Sequence, residues 1–289
     1  MDLFDYNAQL NKNALQPLAE RMRARTLREF IGQSHIVSET SLLSRAIKTD
    51  RLGSCIFWGP PGTGKTTLAN IVANSTGGNY VKLNAVNAGV ADVKSAAEKA
   101  RGDLKLYGKR TYLLLDECHR FNKAQSDSLL PYIECGDIVF IGSTTENPYA
   151  AMTPAIVSRC RVFEFRKLEE SDIEGALKKA AADRERGLGN MLLKVDEEAY
   201  RHFASMAAGD LRVAYNALEL AALTTSADKE GVVHITLRDA EESIQRKALS
   251  YDENLYYDML SAFRKSLRGS DPDAALYYMH RLINGGGGD

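Results

Sequence analysis

The chain is short of cysteine: Cys55, Cys118, Cys135 and Cys160 are the only four in 289 residues. None forms a C-x-x-C pair and no histidine stands at metal-ligand spacing, which argues against a zinc site and for reduced, unpaired thiols. Long apolar runs are also missing. No window approaches the roughly 18 uninterrupted apolar residues that a membrane helix needs, so no membrane association is expected. The opening Met1-Asp2-Leu3-Phe4-Asp5 has neither the basic nor the apolar stretch of a secretory signal, and a cytoplasmic location follows. Neither sign of charge dominates: 37 Lys+Arg against 38 Asp+Glu leave a net charge of −1. Global charge therefore gives no sign of nucleic-acid binding, and any such contact must come from local patches or from an assembly that concentrates them. Basic residues interleaved with aromatics, the mark of a base-stacking platform, are absent too.

What is present is an ordinary globular composition, 44% apolar and 26% charged, with length for about two domains. Residues 1–16 are polar and read as an arm. From Pro17 to Ile47 the pattern is helical and basic, with Arg21, Arg23, Arg25 and Arg28 close together. Five short apolar runs follow, at Cys55–Trp58, Tyr80–Leu83, Thr111–Leu115, Ile138–Ile141 and Val162–Phe165. Amphipathic stretches lie between them: Thr66–Ser75 with Leu68, Ile71 and Val72 on one face, and Val90–Arg101 with Val93, Ala96, Ala97 and Ala100. Continuous apolar strands separated by helices predict an α/β fold, a five-stranded parallel sheet flanked by helices. After Leu168 the strand signal stops. Ser171–Arg186, Asp196–Ala207, Asp210–Leu223 and Thr236–Ala248 read as helices, the last three opening on an Asp or Thr N-cap. The expected division is an α/β domain over 17–167, an all-helical domain over 168–248 and the start of a further helical region over 249–289. Its glycine run, Gly285 to Gly288 before Asp289, looks like a truncation.

The strongest motif is Gly59-Pro60-Pro61-Gly62-Thr63-Gly64-Lys65-Thr66, a match to G-x-x-x-x-G-K-[ST] between a strand and a helix. Glycines let the backbone curl so that N–H groups point at phosphates, and the helix N-terminus adds partial positive charge. Lys65 is expected to reach the β- and γ-phosphates of ATP, and the Thr66 hydroxyl to bind Mg2+. Such a loop alone does not separate kinases, switches and motors. Leu113-Leu114-Leu115-Asp116-Glu117 does, because an apolar strand ends there in two carboxylates. Asp116 is expected to hold Mg2+ through its water shell, and Glu117 to polarise the attacking water. A hydrolase needs that second carboxylate.

These residues, with Gly142-Ser143-Thr144-Thr145-Glu146-Asn147-Pro148 and Ser158-Arg159-Cys160, resemble AAA+ ATPases of the clamp-loader and RuvB group. Within it, Met22-Arg23, Phe30 to Gln33, Phe57 to Thr67, Asp116 to Lys123, Thr144 to Pro148 and Gly209 to Arg212 are similar to the RarA (MgsA) family, replication-associated recombination protein A. That resemblance implies a P-loop AAA+ domain followed by a helical lid. It implies Thr145 as a sensor of the γ-phosphate, Arg159 as an arginine finger for a neighbouring subunit, and Arg212 as the sensor arginine of the lid. It puts Thr67, Arg23 and Ile31 among the nucleotide-binding residues, with Arg21 and Gly32 near the adenine. The chain departs from the family pattern at Ala24, where proline is usual, and at Cys118. Asn84 at the end of the second strand reads as an exposed polar end, although a restraint on Glu117 is the alternative.

The implied activity is a DNA-dependent ATPase at stalled forks or single-strand/double-strand junctions, in replication-associated recombination and repair. The alternatives are a clamp-loader or RuvB-like motor subunit, or a nucleotide-binding scaffold with vestigial hydrolysis. Implied partners are DNA, a single-strand DNA-binding protein or other replisome proteins, and copies of the same chain, a tetramer in the family, all in the nucleoid. Arg120 and Lys123, or Arg264, Lys265 and Arg268, are the patches that could meet DNA phosphates. Leu3-Phe4 reads first as part of the polar arm, with a docking peptide for a replication partner as the alternative.

Overall fold

The computed structural model describes residues 16–244 and 253–284. The arm, with its Leu3-Phe4 peptide, and the final glycine run lie outside the described residues. Five strands make one parallel sheet in the order β2-β3-β4-β1-β5. They are β1 (Cys55–Trp58), β2 (Asn79–Asn84), β3 (Thr111–Asp116), β4 (Val139–Thr144) and β5 (Arg161–Glu164). All five expected runs are strands.

The sheet is covered on both faces, and the alternation of side chains along each strand decides what covers which. Phe57, Leu114, Ile141 and Phe163 pack with Leu68, Ala69 and Val72 of helix Lys65–Thr76. Ile56, Leu113, Leu115 and Phe140 turn the other way, onto Val93 and Ala97 of helix Val90–Tyr107 and Leu129 of helix Lys123–Glu134. Both faces being dry, β3 carries no polar alternation and reads as an unbroken apolar run.

The stretch from Pro17 to Ile47 is not one helical region. It holds three short helices, Leu18–Arg21, Ser34–Val37 and Leu42–Lys48. Gly32 and Gln33 adopt positive φ of 65° and 56° and interrupt it. Leu18 and Met22 lie in the core of the lid.

The lid is built on helices Glu170–Ala182, Glu197–Met206, Leu211–Thr224 and Leu237–Ser243. It is not all helical. β6 (Leu193–Val195) and β7 (Val233–Ile235) pair in parallel, Leu193 opposite Val233. Three residues each are too few to leave a periodic signature. Of the three expected caps, Asp210 accepts from the amides of Arg212 and Val213 and Thr236 from that of Asp239. Asp196 does not cap; its carboxylate takes a hydrogen bond from His234 Nε2 at 2.9 Å. Residues 245–248, expected in the last helix, lie outside the described residues.

Helices Glu253–Arg268 and Pro272–Asn284 form a separate compact unit, an α-hairpin with Met259, Ala275 and Leu282 buried. Among the described residues no helix is long and apolar enough to cross a membrane.

Candidate functional site

The site lies at the carboxyl ends of the central strands, where open α/β sheets place their ligands. β1 ends at Trp58 and the chain turns through Gly59, Gly62 and Gly64 at φ of 142°, 69° and 97°, a region costly to any residue with a Cβ. Packing closes the loop as well. A Cβ on Gly64 would meet the Phe30 ring at 2.7 Å, and one on Gly62 would overlap the Asp210 carboxylate. Gly59 N–H donates to Thr144 C=O at 3.2 Å, tying the loop to the end of β4.

Lys65 opens the helix behind the loop, 8% exposed. Its ammonium donates to the carbonyls of Gly59 and Pro60, both at 2.7 Å. Burial pulls its pKa down to about 8, against the opposing pull of Glu117 and Asp116. Thr66 Oγ1 lies 3.4 Å from each oxygen of the Asp116 carboxylate. On its other side Asp116 meets Lys82 Nζ at 3.7 Å. Asp116 stands opposite Asn84 on β2 and Ser143 on β4, so strand register brings the three side by side. Glu117 leaves the strand at φ 54°, left-handed for a residue with a side chain. Such a conformation costs on the order of 1–3 kcal/mol and collects at functional sites.

A cleft of about 420 Å3 joins these groups, a size within the roughly 300–1,000 Å3 usual for small-molecule sites. Pro61, Gly62, Thr63, Gly64, Lys65, Thr66, Thr67, Asp116, Glu117, Thr145, Arg212, Arg23 and Ile31 all line it. Gly59 and Pro60 take part through the carbonyls that hold Lys65. Arg212 enters from the lid, because helix Leu211–Thr224 begins against the loop: Leu211 N–H donates to Gly62 C=O at 3.4 Å. Asn84 lines the cleft and is exposed, its Oδ1 accepting from Val86 N–H. Gly32 does not line the cleft. Arg21 turns away from it and binds Glu219 at 2.9 Å, while Glu219 also accepts from Leu18 N–H at 2.8 Å.

Like Arg21 and Gly32, Arg159 is not brought here by the fold. It is exposed, paired with Glu134 through Nε at 2.7 Å, and faces a separate groove with Arg51 and Arg161.

Several residues escaped the sequence reading. Phe30, Leu168, Leu211, Tyr215 and Asn216 also line the cleft. Their apolar side chains and one amide suit a flat heterocycle, and no local motif marks them. His119 is the other; only its neighbourhood to the carboxylates hinted at a role.

The donor set fits a magnesium nucleotide. A glycine loop at a helix N-terminus, with a buried ammonium beside it, suits phosphates. Thr66 and Asp116 offer hydroxyl and carboxylate oxygens, the ligands Mg2+ prefers.

Comparison with known proteins agrees. Residues 55–168 match the model of the ATPase family associated with various cellular activities (AAA), and residues 189–268 match the AAA C-terminal domain. The chain is 46% identical over 274 residues to replication-associated recombination protein A of Bacillus subtilis, covering 94% of this chain and 64% of that protein. With the protein of that name from Escherichia coli (strain K12) it is 42% identical over 277 residues, 95% of this chain and 62% of the other. The chain thus spans just under two thirds of these relatives' length. Among solved structures, the Thermotoga maritima RuvB Holliday junction branch migration motor superposes with a TM-score of 0.63 at 23% identity. That alignment covers 86% of this chain and 81% of RuvB, and it speaks for the fold alone.

Proposed function

The chain belongs to the replication-associated recombination protein A family of AAA ATPases, and on that premise we propose that it hydrolyses ATP and spends the energy on DNA at stalled forks or single-strand/double-strand junctions. The observation that carries the ATPase half is Thr66 Oγ1 at 3.4 Å from both Asp116 oxygens, with Glu117 next in the chain and lining the same cleft.

Each residue then has a task. Amides of Gly62 to Thr66 grip the phosphates, and Lys65 exchanges its two loop carbonyls for β- and γ-phosphate oxygens. Thr66 and Asp116 would hold Mg2+, which would neutralise charge developing on the phosphates. Glu117 aims a water at the γ-phosphorus and takes its proton. Thr145 and Arg212 contact the γ-phosphate from the end of β4 and from the lid. Arg23 and Ile31 hold the base and ribose side. Arg159, remote from its own cleft, serves the cleft of a neighbouring copy; such a finger is worth roughly 10³–10⁵ in rate.

Assembly is supported by a stripe on helix Pro272–Asn284, where Leu276, Met279 and Ile283 recur at i, i+3 and i+7 and are exposed among the described residues. Arg120, Lys123, Arg264, Lys265 and Arg268 are all exposed and available to DNA phosphates. The DNA half rests on the names of the relatives and places the work in the cytoplasm, at the nucleoid. Steady-state ATP turnover with no DNA, with gapped or forked duplex and with a four-way junction tests the proposal. Stimulation several-fold by gaps or forks is expected. Turnover equal in all three conditions contradicts the DNA half, and no turnover contradicts both.

A further inference from the structure

We propose that His119 is a positioning residue for Glu117, linking the water-activating carboxylate to the end of β4; the inference rests on the ATPase reading above. His119 is the middle residue of the short 3-10 turn Cys118–Arg120 that follows the strained Glu117, and its side chain is 5% exposed. A buried imidazole needs partners on both nitrogens, and it has them. Nδ1 lies 2.8 Å from Thr144 Oγ1 and 3.6 Å from Glu117 Oε2, and Nε2 lies 3.2 Å from Glu146 Oε1.

Donor and acceptor roles follow from the chemistry of each group. An ionised Glu146 carboxylate only accepts, so Nε2 carries a hydrogen. Thr144 Oγ1 accepts from Glu146 N–H at 3.0 Å, and its hydroxyl hydrogen is placed to reach Nδ1 at 2.8 Å or Glu146 C=O at 3.3 Å. The ring is thereby fixed in place by two groups at the end of β4. The same strand end holds the phosphate loop, through the Gly59 amide on Thr144 C=O.

Glu117, by contrast, is 41% exposed, and His119 is the only side chain among the described residues seen to pair with its carboxylate. At 3.6 Å the contact is longer than a hydrogen bond, so the ring bounds the carboxylate by its fixed position and not by a shared hydrogen. His119 therefore limits where the carboxylate can point. It connects that direction to Glu146, whose own side chain is 53% exposed and open to whatever touches this edge. A misplacement of about 1 Å in such a group costs on the order of 10²-fold in rate.

The test compares His119→Ala and His119→Asn with wild type, measuring MgATP affinity, turnover and thermal unfolding. Asn keeps a polar nitrogen near the Nδ1 position and gives up the reach to Glu146. In the alanine variant Thr144 retains its bond from Glu146 N–H, so the fold should survive. We expect His119→Ala to lose 10- to 100-fold in kcat with affinity within threefold of wild type, and His119→Asn to recover to within about fivefold. Turnover of His119→Ala within twofold of wild type would overturn the proposal. So would parallel loss of binding and folding in both variants, the mark of a purely structural role. A second arm does not need turnover. In 15N-histidine spectra of the nucleotide-free protein, Glu117→Gln should shift the ring signal that His119→Ala removes, and an unmoved signal refutes the contact. A wild type that binds but never hydrolyses ATP refutes the ATPase reading instead, and the spectra still decide whether the two side chains are coupled.

Discussion

The two halves that enclose the cleft are built from different material. In the lid core ten of the 23 buried residues are alanine, among them Ala176, Ala180, Ala214, Ala217 and Ala221. The two clusters on the sheet faces contain two alanines of 16 and four of 14; the rest are mainly leucine, isoleucine, valine and aromatic residues. Large side chains locked between a sheet and its helices forfeit much when they move. Alanine lets helices approach closely and gains little from any single contact. The functional groups divide accordingly. Asp116 and Glu117 extend from the sheet and Arg212 comes from the lid, so on the proposed function the water-directing carboxylate sits on the more tightly packed half and the γ-phosphate contact on the other.

The largest effect that would sharpen this contrast is on stability. Leu114→Ala removes a fully buried side chain from β3 and should cost about 2–5 kcal/mol, measured by denaturant unfolding. A loss below about 1 kcal/mol would mean the sheet is looser than its packing implies. Next comes the lid. Arg212→Ala, at an exposed position in the first turn of its helix, should leave the unfolding midpoint nearly unchanged and lower kcat by roughly 10²-fold, the scale for removing one donor from a developing anion. An equal fall in stability would erase the distinction.

The smallest effect concerns pH. Lys65 in the nucleotide-free cleft has its pKa depressed to about 8, chiefly by burial. Below that pH the ammonium is already charged and ready for phosphate. Above it, binding must first take up a proton, so MgATP affinity should weaken by up to about tenfold per pH unit. Fluorescent-nucleotide titrations between pH 7 and 10 would show the bend, and a flat profile to pH 10 would contradict the depressed pKa.

Much of this arrangement was legible in the amino-acid order, for a physical reason. Strands buried on both faces leave unbroken apolar runs, and a phosphate loop needs glycine at fixed offsets, so β1 to β5 and Gly59–Thr66 are local facts. The misses are non-local. Residues 17–47 look helical and basic, yet Arg21 is spent on Glu219 almost 200 positions away. β6 and β7 exist only because each pairs with the other. His119 stands next to the carboxylates in sequence, but what fixes its ring is Thr144, 25 residues on, which no local pattern reveals. The apolar wall of the cleft comes from three separated segments, at Met22–Ile31, Leu168 and Leu211–Tyr215. No window of sequence contains it.

The account turns on a nucleotide gripped by the loop and hydrolysed by a water that Glu117 directs. Glu117→Gln keeps shape and hydrogen bonding and removes the base. MgATP affinity and single-turnover hydrolysis, measured on the same samples, should show binding within a few-fold of wild type and a rate lower by about 10²–10⁴-fold. Hydrolysis at the wild-type rate by that variant would contradict the account.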